Sequence, residues 1–517
     1  MKPVKGEVAI DIREALLSSA LQKLGALSDK PMVFDNFTIF RVPAHVRQRN
    51  KHLYEPQTVA IGPYGVGRNV EPSLQAMEWL KWRYLQEFLS RSSNSTIDRY
   101  IDEIQKLEPE ARRCYFERVE LSTKEFAEML LLDGCFIVEF LIKWKGGEND
   151  GVCAVEWSLP LVRGDLLLLE NQIPFFVLEK LYELRTFKID GTAATPMQRR
   201  ASEGEKPSSL KELLVKYLTS INIESPEEET DSSKKGKDDP GLIMPGEAKD
   251  FDHLLHLYYR CYVTTPQTDP TGRIICGTIL KWLRPSRIAA LLLFYITLLL
   301  SYIRSKICRS QAPAKKRSPR TIPSATELLE AGVTIKKKEK KEENQNKNQR
   351  RLSAFLDVAF DDGVLEIPLL SVENSTLPRF SNLVAFEQCG GCKPEKAYMT
   401  SYATFMNCLI DTPGDVAVLH KRGILENKLA SDEELAAFFN QLADWSSLDY
   451  DNHYLAKLFR EVGEYIGTPW PSWRAKLVSD YFSNPWAFIS LIAAAVLLIL
   501  TILQTVYSIY AYYHPRN

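Results

Sequence analysis

The sequence predicts a mainly α-helical protein with one small β-hairpin, in which a single large helical domain built from both halves of the chain precedes a C-terminal transmembrane helix. Apolar residues recur at helical spacing along most of the chain. Alternation typical of strands is clearest at one place, FLDVAFDDGVLEI from Phe355. The final apolar run is long enough to cross a bilayer. These three observations set the fold class.

Composition limits the classes of function. The chain has 517 residues, enough for two or three domains. Its 65 Lys and Arg nearly balance its 66 Asp and Glu, so bulk charge does not favour nucleic-acid binding. The nine cysteines are scattered, and such an odd, dispersed set indicates reduced thiols rather than a disulfide framework.

The predicted domain organisation follows shifts in composition. Residues 1–32 form a variable N-terminal segment whose charged residues Glu7, Asp11 and Arg13 exclude a secretory signal. The main domain covers residues 33–482. Polar, charged stretches predict disordered inserts within it. The remaining ranges are the inserts 190–208, 224–250 and 309–351, an apolar run over 288–303, and a C-terminal transmembrane helix over 483–513.

Local signals place the main elements in order. The helix holding MLLLDGCFIVEFLIKW is apolar almost all round, which predicts a place at the centre of a core. Asp165 is predicted as an N-cap, Glu170 and Glu179 as surface charges, and Pro174 as a break between two helices. Asp362-Gly363 predicts the turn of the β-hairpin. Four capping boxes are predicted, at Ser122/Glu125, Ser209/Glu212, Ser324/Glu327 and Ser431/Glu434.

The apolar run over 288–303 allows three interpretations: a second membrane span, an interfacial helix or a buried helix. As a helix it covers only about 24 Å. Basic tracts follow at Ala312–Arg320 and from Lys336. They are interpreted as solvated loops, with contact to anionic lipid as the alternative.

The C-terminal run contains no charged residue between Asp480 and Arg516. Tryptophan opens it and tyrosines close it, as expected at the two membrane interfaces. We therefore expect a single-pass anchor in membrane lipid with a cytosolic body, at the plasma membrane or alternatively at an endomembrane. The residues expected to contact lipid are Trp486, Phe488, Ile489, Leu491, Ile492, Val496, Leu497, Leu498, Ile499, Leu500, Ile502, Leu503, Val506, Tyr507 and Tyr510.

Ordered strings along the chain carry a family resemblance. They include YEPQTVAIGPYG, LLLDGCFIVEFL, DLLLLENQIPFFVLEKLYEL, FLDVAFDDGVLEIPLL and SYATFMNCLIDTPGDVAVLHKRGI. Together they resemble the plant family named domain of unknown function 247. The resemblance implies one domain followed by a membrane anchor and, through grass members linked to self-incompatibility, a role in recognition or signalling. Members often carry a histidine pair after Gly-Pro-Tyr, where this chain has Gly65-Val66-Gly67.

Two groups of residues were weighed for chemistry. Cys389 and Cys392 have the spacing of half a zinc site or a redox pair, and His253 and His256 lie three apart on a helix as metal ligands do. Neither group has the partners that would complete a site, so core histidines and free thiols are the favoured interpretation. The sequence therefore predicts no catalytic residue, no metal and no cofactor.

The resulting hypothesis is a non-enzymatic, membrane-anchored component that binds an unidentified protein partner, in self-incompatibility or related signalling. Nucleic acid is not expected as a partner. Two alternatives remain open: an enzyme with an unrecognised site between the two halves, and a lipid-surface scaffold that uses the basic tracts.

Overall fold

The computed structural model describes residues 14–22, 37–65, 72–91, 96–148, 151–155, 157–186, 209–219, 251–263, 319–339, 354–390, 397–467 and 485–513. The chain is mainly helical and divides into two compact units, each described by itself below. Unit 1 consists of Met1–Ile221, Leu242–Arg260 and Pro378–Gly391. Unit 2 consists of Asn222–Gly241, Cys261–Leu377 and Cys392–Asn517. The prediction of one domain drawn from both halves of the chain stays a prediction.

The regular secondary structure described in unit 1 consists of α-helices, short 3₁₀ turns and one isolated β-bridge between Ile39 and Tyr115. Helices α8 and α10 lie only partly in this unit. Besides a helical stretch over 14–22, its helices are α1 (Ala44–Arg49), α2 (Pro72–Ser90), α3 (Ile97–Arg113), α4 (Thr123–Gly146), α5 (Ser158–Leu166), α6 (Phe175–Thr186), α7 (Leu210–Thr219), α8 (Leu254–Tyr262) and α10 (Thr376–Gln388).

Helix α4 is the centre of unit 1. Its start is fixed by a complete capping box between Ser122 and Glu125, and Gly147 ends it in the left-handed conformation. Nearly every side chain from Met129 to Leu141 is buried, and α2, α3, α6 and α7 all pack against it. The prediction of a central helix is confirmed.

The segment after α4 differs from the prediction at one point. Pro174 does separate two helices, since α5 ends at Leu166 and α6 begins at Phe175. Asp165, however, lies inside the last turn of α5 and is not an N-cap. The prediction was wrong because a capping Asp and an Asp that binds a distant backbone look alike in sequence.

Unit 2 combines helices with two small sheets, one more than predicted. Strand β1 pairs in parallel with β3, and β3 pairs antiparallel with β2; β4 and β5 form a separate parallel pair. The elements are α9 (Ala325–Glu330), β1 (Thr334–Lys337), β2 (Ala359–Asp361), β3 (Val364–Ile367), β4 (Leu370–Val372), α11 (Tyr398–Leu409), α12 (Pro413–Lys421), β5 (Leu425–Asn427), α13 (Asp432–Asp444), α14 (Ala456–Ile466) and α15 (Pro485–Tyr513).

The predicted hairpin is present as β2 and β3. Asp362 and Gly363 at its turn have φ values of 41° and 81°, as this turn chemistry requires. The ring of Tyr465 lies directly over Gly363. Lys336 and Lys337, assigned above to a disordered basic insert, instead form part of β1 and pair with β3. The prediction failed because β1 forms by pairing with the largely apolar strand β3, which the basic residues of β1 do not reveal.

Capping follows the predicted chemistry closely. The boxes at Ser122, Ser209 and Ser324 are complete, while at Ser431 the hydroxyl accepts from the Glu434 N–H but the returning carboxylate binds the Ala430 N–H. In unit 2 the Asp415 carboxylate caps α12 through Thr412 and also accepts from Thr326 at the start of α9. One carboxylate therefore ties two helix starts together.

The last described element is α15, 29 residues long. Within the described ranges, no helix is both long enough and apolar enough to cross a membrane, so the transmembrane helix predicted over 483–513 is not found there. The apolar run 288–303 and the inserts 190–208 and 224–250 lie outside the described residues, as do residues 309–318 and 340–351 of the third insert. The prediction of disorder is wrong for the rest of that insert, 319–339, which contains α9 and β1.

Candidate functional site

The most concentrated set of buried polar side chains lies in unit 1, around segment 42–62. This segment contains the RVPAHVR and YEPQTVAIG strings and has little regular structure of its own. Its backbone is held by side chains from the connector, residues 165–172, which runs from the last turn of α5 towards α6. Further side chains come from α2, α4 and α10.

Asp165 binds three consecutive backbone N–H groups of this segment. Its carboxylate accepts from Gln57 at 2.9 Å, from Thr58 at 2.6 Å and from Val59 at 2.8 Å. The side chain is only 3 % exposed. Burial raises the pKa of this carboxyl to about 6, against the opposing effect of the three hydrogen bonds.

Asn171 and Gln172 also bind backbone groups through their side chains, as Asp165 does. Asn171 accepts from the Ile61 N–H at 2.6 Å and donates to the Val59 carbonyl at 3.0 Å. Gln172 accepts from the Leu255 N–H at 3.2 Å, which joins α8 to the connector. Both side chains are almost fully buried, so these amides replace the backbone partners that a sheet would supply.

Glu170 holds the other end of the segment. It accepts from the Val42 N–H at 3.0 Å and from Arg47 at 2.9 Å through both carboxylate oxygens. It is 6 % exposed. The prediction that Asp165 and Glu170 are a cap and a surface charge is therefore wrong for both.

A buried ion pair closes the site between α2 and α4. The Lys81 ammonium lies 2.7 Å from Asp133 and also donates to the Ala60 carbonyl and to Glu78. The second oxygen of Asp133 accepts from the Gly62 N–H at 2.8 Å. Burial would lower the pKa of Lys81, but Asp133 and then Glu78 hold it above its ordinary value.

Asn382 on α10 brings the second half of the chain into this arrangement. Its amide donates to the Leu53 carbonyl at 2.8 Å, and its oxygen accepts from the Leu169 N–H at 2.8 Å. One buried side chain, more than two hundred residues after the connector in sequence, thus joins the connector to segment 42–62.

These contacts decide what the cluster can do chemically. Asp133, Asp165 and Glu170 direct their oxygens at backbone N–H groups or at Lys81 and Arg47. Such groups position the backbone, because proton transfer to a substrate would require them to release those partners. The cluster is therefore a structural brace.

At Gly62 the brace leaves no room for a side chain. Its φ is +75°, and a Cβ there would lie 2.3 Å from the Gln172 carbonyl oxygen. We expect Gly62→Ala to lower the free energy of unfolding by about 2–4 kcal/mol, from backbone strain and the clash together. Gly147→Ala is the matched control, since its φ is +64° but nothing lies within 4 Å of the added Cβ. Urea denaturation that gives equal losses for both would contradict the close approach.

Two histidines were considered above as candidate metal ligands. His253 directly precedes α8, His256 lies in its first turn, and both rings lie against Phe386. His253 is fully buried. Its Nε2 lies 3.1 Å from the Thr38 carbonyl, while its Nδ1 accepts from the His256 N–H. These partners fix the neutral tautomer with the proton on Nε2. Burial, aided by His256, lowers the pKa of His253 to about 3.

This geometry predicts acid sensitivity. Because the folded-state pKa lies below the usual value of about 6.5, the contribution of His253 is complete above pH 6.5 and is lost as the pH falls towards 3. We expect a loss of about 2 kcal/mol by pH 5 from this residue. Urea denaturation from pH 7.5 to 5 checks it, with His253→Gln expected to flatten the dependence. Parallel pH curves for both proteins would contradict the assignment.

The structure describes only one of the two cysteines, Cys389. Burial raises the pKa of the Cys389 thiol to about 11, which disfavours the reactive thiolate. Cys392 lies outside the described residues. Across the described ranges no group of three or more His, Cys, Asp or Glu side chains is arranged to hold a metal ion.

One surface feature was missed by the sequence reading. Trp79 and Trp82 on α2 are 82 % and 47 % exposed, although Tyr84 and Phe88 of the same helix are buried. The helical spacing identified the buried face but not the two tryptophans on the outer face. Large aromatic residues at i and i+3 on a polar face are the signal that would have found them.

Comparisons with known proteins bear on the family of this chain. A family model described as a plant protein of unknown function, DUF247, matches residues 39–500. A UPF0481 protein of Arabidopsis thaliana is 26% identical over 493 residues, covering 93% of this chain and 87% of the relative. A putative UPF0481 protein of the same plant is 23% identical over 506 residues, covering 90% and 89%. No solved structure matches. The chain belongs to the plant family DUF247.

Proposed function

We propose that this protein is a membrane-anchored, non-enzymatic component that binds another protein through the exposed face of α2. The exposed tryptophan pair Trp79 and Trp82 carries the proposal. Tryptophan is the residue most enriched at the energetic centres of protein interfaces, and two of them on one helix turn form a compact apolar contact.

The non-enzymatic part is supported by how the buried acids are used. Asp165, Glu170 and Asp133 serve backbone groups and buried cations. His253 is fully buried beside Phe386 and donates to a backbone carbonyl. Contacts of this kind stabilise the fold and do not prepare a side chain to react with a substrate. The alternative is an enzyme that uses His253, His256 or Cys389; it would gain support from a bound substrate analogue that contacts any of them.

Membrane anchoring is supported by the sequence. The C-terminal sequence is apolar over more than the roughly 20 residues that a membrane-spanning helix needs. The sequence carries no charge between Asp480 and Arg516. The proposed arrangement places the body in the cytosol at the plasma membrane, with an endomembrane as the alternative. Through the resemblance of its motifs, the proposed process is self-incompatibility or related cell signalling.

Extraction with alkaline carbonate tests the anchor. The full-length chain is expected to stay in the membrane pellet and, in sealed vesicles, to lose its body to added protease. Release into the carbonate supernatant would overturn the anchor. Protection of the body would reverse the proposed topology. Binding to anionic vesicles that disappears at high salt would instead favour the lipid-surface scaffold.

Partner capture tests the binding face. Full-length wild type is compared with the double variant Trp79→Ser/Trp82→Ser in plant membranes. The double variant is expected to capture the partner proteins of the wild type in amounts at least about tenfold lower. Trp157→Ser is the matched control, because Trp157 is 68 % exposed in the same unit and should retain them. Equal capture by all three chains would contradict the proposed face.

A further inference from the structure

The two exposed tryptophans of α2 belong to a longer line of exposed residues. Its members follow one another at spacings of four, three and four residues. Because each residue turns an α-helix by about 100°, residues at these spacings lie along one side of it. The line consists of Gln75, Trp79, Trp82 and Gln86, all of them exposed. We call these four residues the α2 stripe.

The spacing of the α2 stripe is that of a coiled-coil seam. In a coiled coil, the residues that face the partner helix recur at alternating intervals of three and four residues. The opposite side of α2 is already occupied, since the ring of Tyr84 packs against Phe136 of α4 at 5.2 Å between centroids. The exposed side therefore has the pattern that receives one further helix.

Charges of opposite sign flank the α2 stripe. Glu78 and Arg83 lie about 70° to either side of its centre line, and their side chains are 45 % and 59 % exposed. Glu78 binds Lys81 at 2.6 Å, and Arg83 binds Glu87 at 3.2 Å, both within α2. A carboxylate and a guanidinium each have the capacity for a second partner. One flank of the stripe is thus acidic and the other is basic.

We infer that the partner of this face is a second copy of the chain, with the two α2 helices paired in parallel and in register. The inference rests on the proposed function, because it assigns a partner to the same tryptophan face. Such a pair places each tryptophan of the stripe against the same residue of the second copy. It also brings Glu78 of each copy to Arg83 of the other, because residues on the two flanks of a parallel seam meet across it.

Charge complementarity selects both the partner and the direction. A two-fold contact between identical chains needs a surface that is complementary to itself. An acidic flank beside a basic flank meets that need in a parallel pair, where each flank faces the opposite one. In an antiparallel pair each flank would face its own counterpart, with acid beside acid and base beside base. One helix from each copy makes a small interface, so we expect a reversible dimer.

Charge reversal in two differently tagged full-length copies tests the pairing and its direction. The copies are co-expressed, solubilised in a mild detergent and captured through one tag. Two wild-type copies are expected to co-purify. Two Arg83→Glu copies, or two Glu78→Arg copies, should co-purify about tenfold less, because like charges then meet twice. An Arg83→Glu copy with a Glu78→Arg copy should restore the wild-type amount, since both contacts again join opposite charges.

Two controls separate pairing from folding. Arg118→Glu reverses the charge of an exposed arginine outside α2 and should leave co-purification unchanged. Urea denaturation checks that each variant folds. If Glu78→Arg unfolds through its contact with Lys81, Arg83→Glu carries the test alone. It should lose pairing with itself and keep an intermediate amount with wild type, in which one of the two contacts remains attractive.

The outcomes distinguish this inference from the proposed function. Wild-type copies that do not co-purify would overturn the inference, as would a mixed charge-reversed pair that is no stronger than either variant with itself. The proposed binding face would still stand if Trp79→Ser/Trp82→Ser lost other captured proteins. If the tryptophan variant captured every protein as wild type does, including the second tagged copy, both proposals would fall.

Discussion

Replacing Lys81 with methionine is expected to lower the free energy of unfolding by about 3–5 kcal/mol. The substitution keeps the length of the side chain but leaves the Asp133 carboxylate buried without its cation, and it removes the donor to the Ala60 carbonyl. Breaking one half of a buried pair is costly because the remaining charge cannot regain water. Urea denaturation of the full-length chain measures the loss.

Glu78→Gln is the control for this experiment. Glu78 binds the same ammonium, yet its side chain is 45 % exposed. Water can replace what the substitution removes, so a loss of no more than about 1 kcal/mol is expected. If Lys81→Met and Glu78→Gln cost the same, the pair with Asp133 does not support the fold as described.

Asp165→Ala is the second substitution with a large expected effect, about 3–5 kcal/mol. It removes the shared acceptor of the Gln57, Thr58 and Val59 N–H groups; the bond to Val59 is buried and the other two are partly buried. Asp165→Asn should lower the free energy of unfolding by less than Asp165→Ala does, because the amide oxygen can still accept a hydrogen bond. A loss remains, because the NH₂ group then faces a backbone donor. Glu183→Ala, at an exposed surface position, is the control and should fall within about 0.5 kcal/mol of wild type.

Asp165→Asn also has an expected signature in pH. The folded-state pKa of about 6 lies above the usual value, so in wild type this carboxyl contributes stability that grows as the pH falls from about 6 towards 4. The asparagine variant lacks that gain. Its deficit relative to wild type should therefore widen between pH 7 and pH 4. A constant deficit would contradict the raised pKa.

Local elements were predictable because their signals are local. Ser122 with Glu125 marks the start of α4, and Asp362-Gly363 marks the hairpin turn, within four residues of sequence in each case. The apolar surface of α4 sufficed to place it in the core. Each of these features could be assigned without knowing what it packs against.

The brace was not predictable for the opposite reason. Asp165 and its three partners are separated by 106 to 108 residues, and their pairing leaves no pattern in the local sequence. A carboxylate before an apolar run resembled a helix cap. The same holds for Lys336 and Lys337, whose partners in β3 lie thirty residues later. Burial of a polar residue is a property of the whole fold and is invisible to spacing.

The bond from Asn382 to Leu53 has a consequence for biosynthesis. The two residues are 329 positions apart, so segment 42–62 emerges from the ribosome long before its last partner has been translated. Chaperones have that interval in which to bind the apolar side chains around Val59 and Ile61. Nascent chains stopped before residue 165 should remain protease-sensitive over this segment, whereas chains long enough for residue 391 to have left the ribosome should acquire resistance.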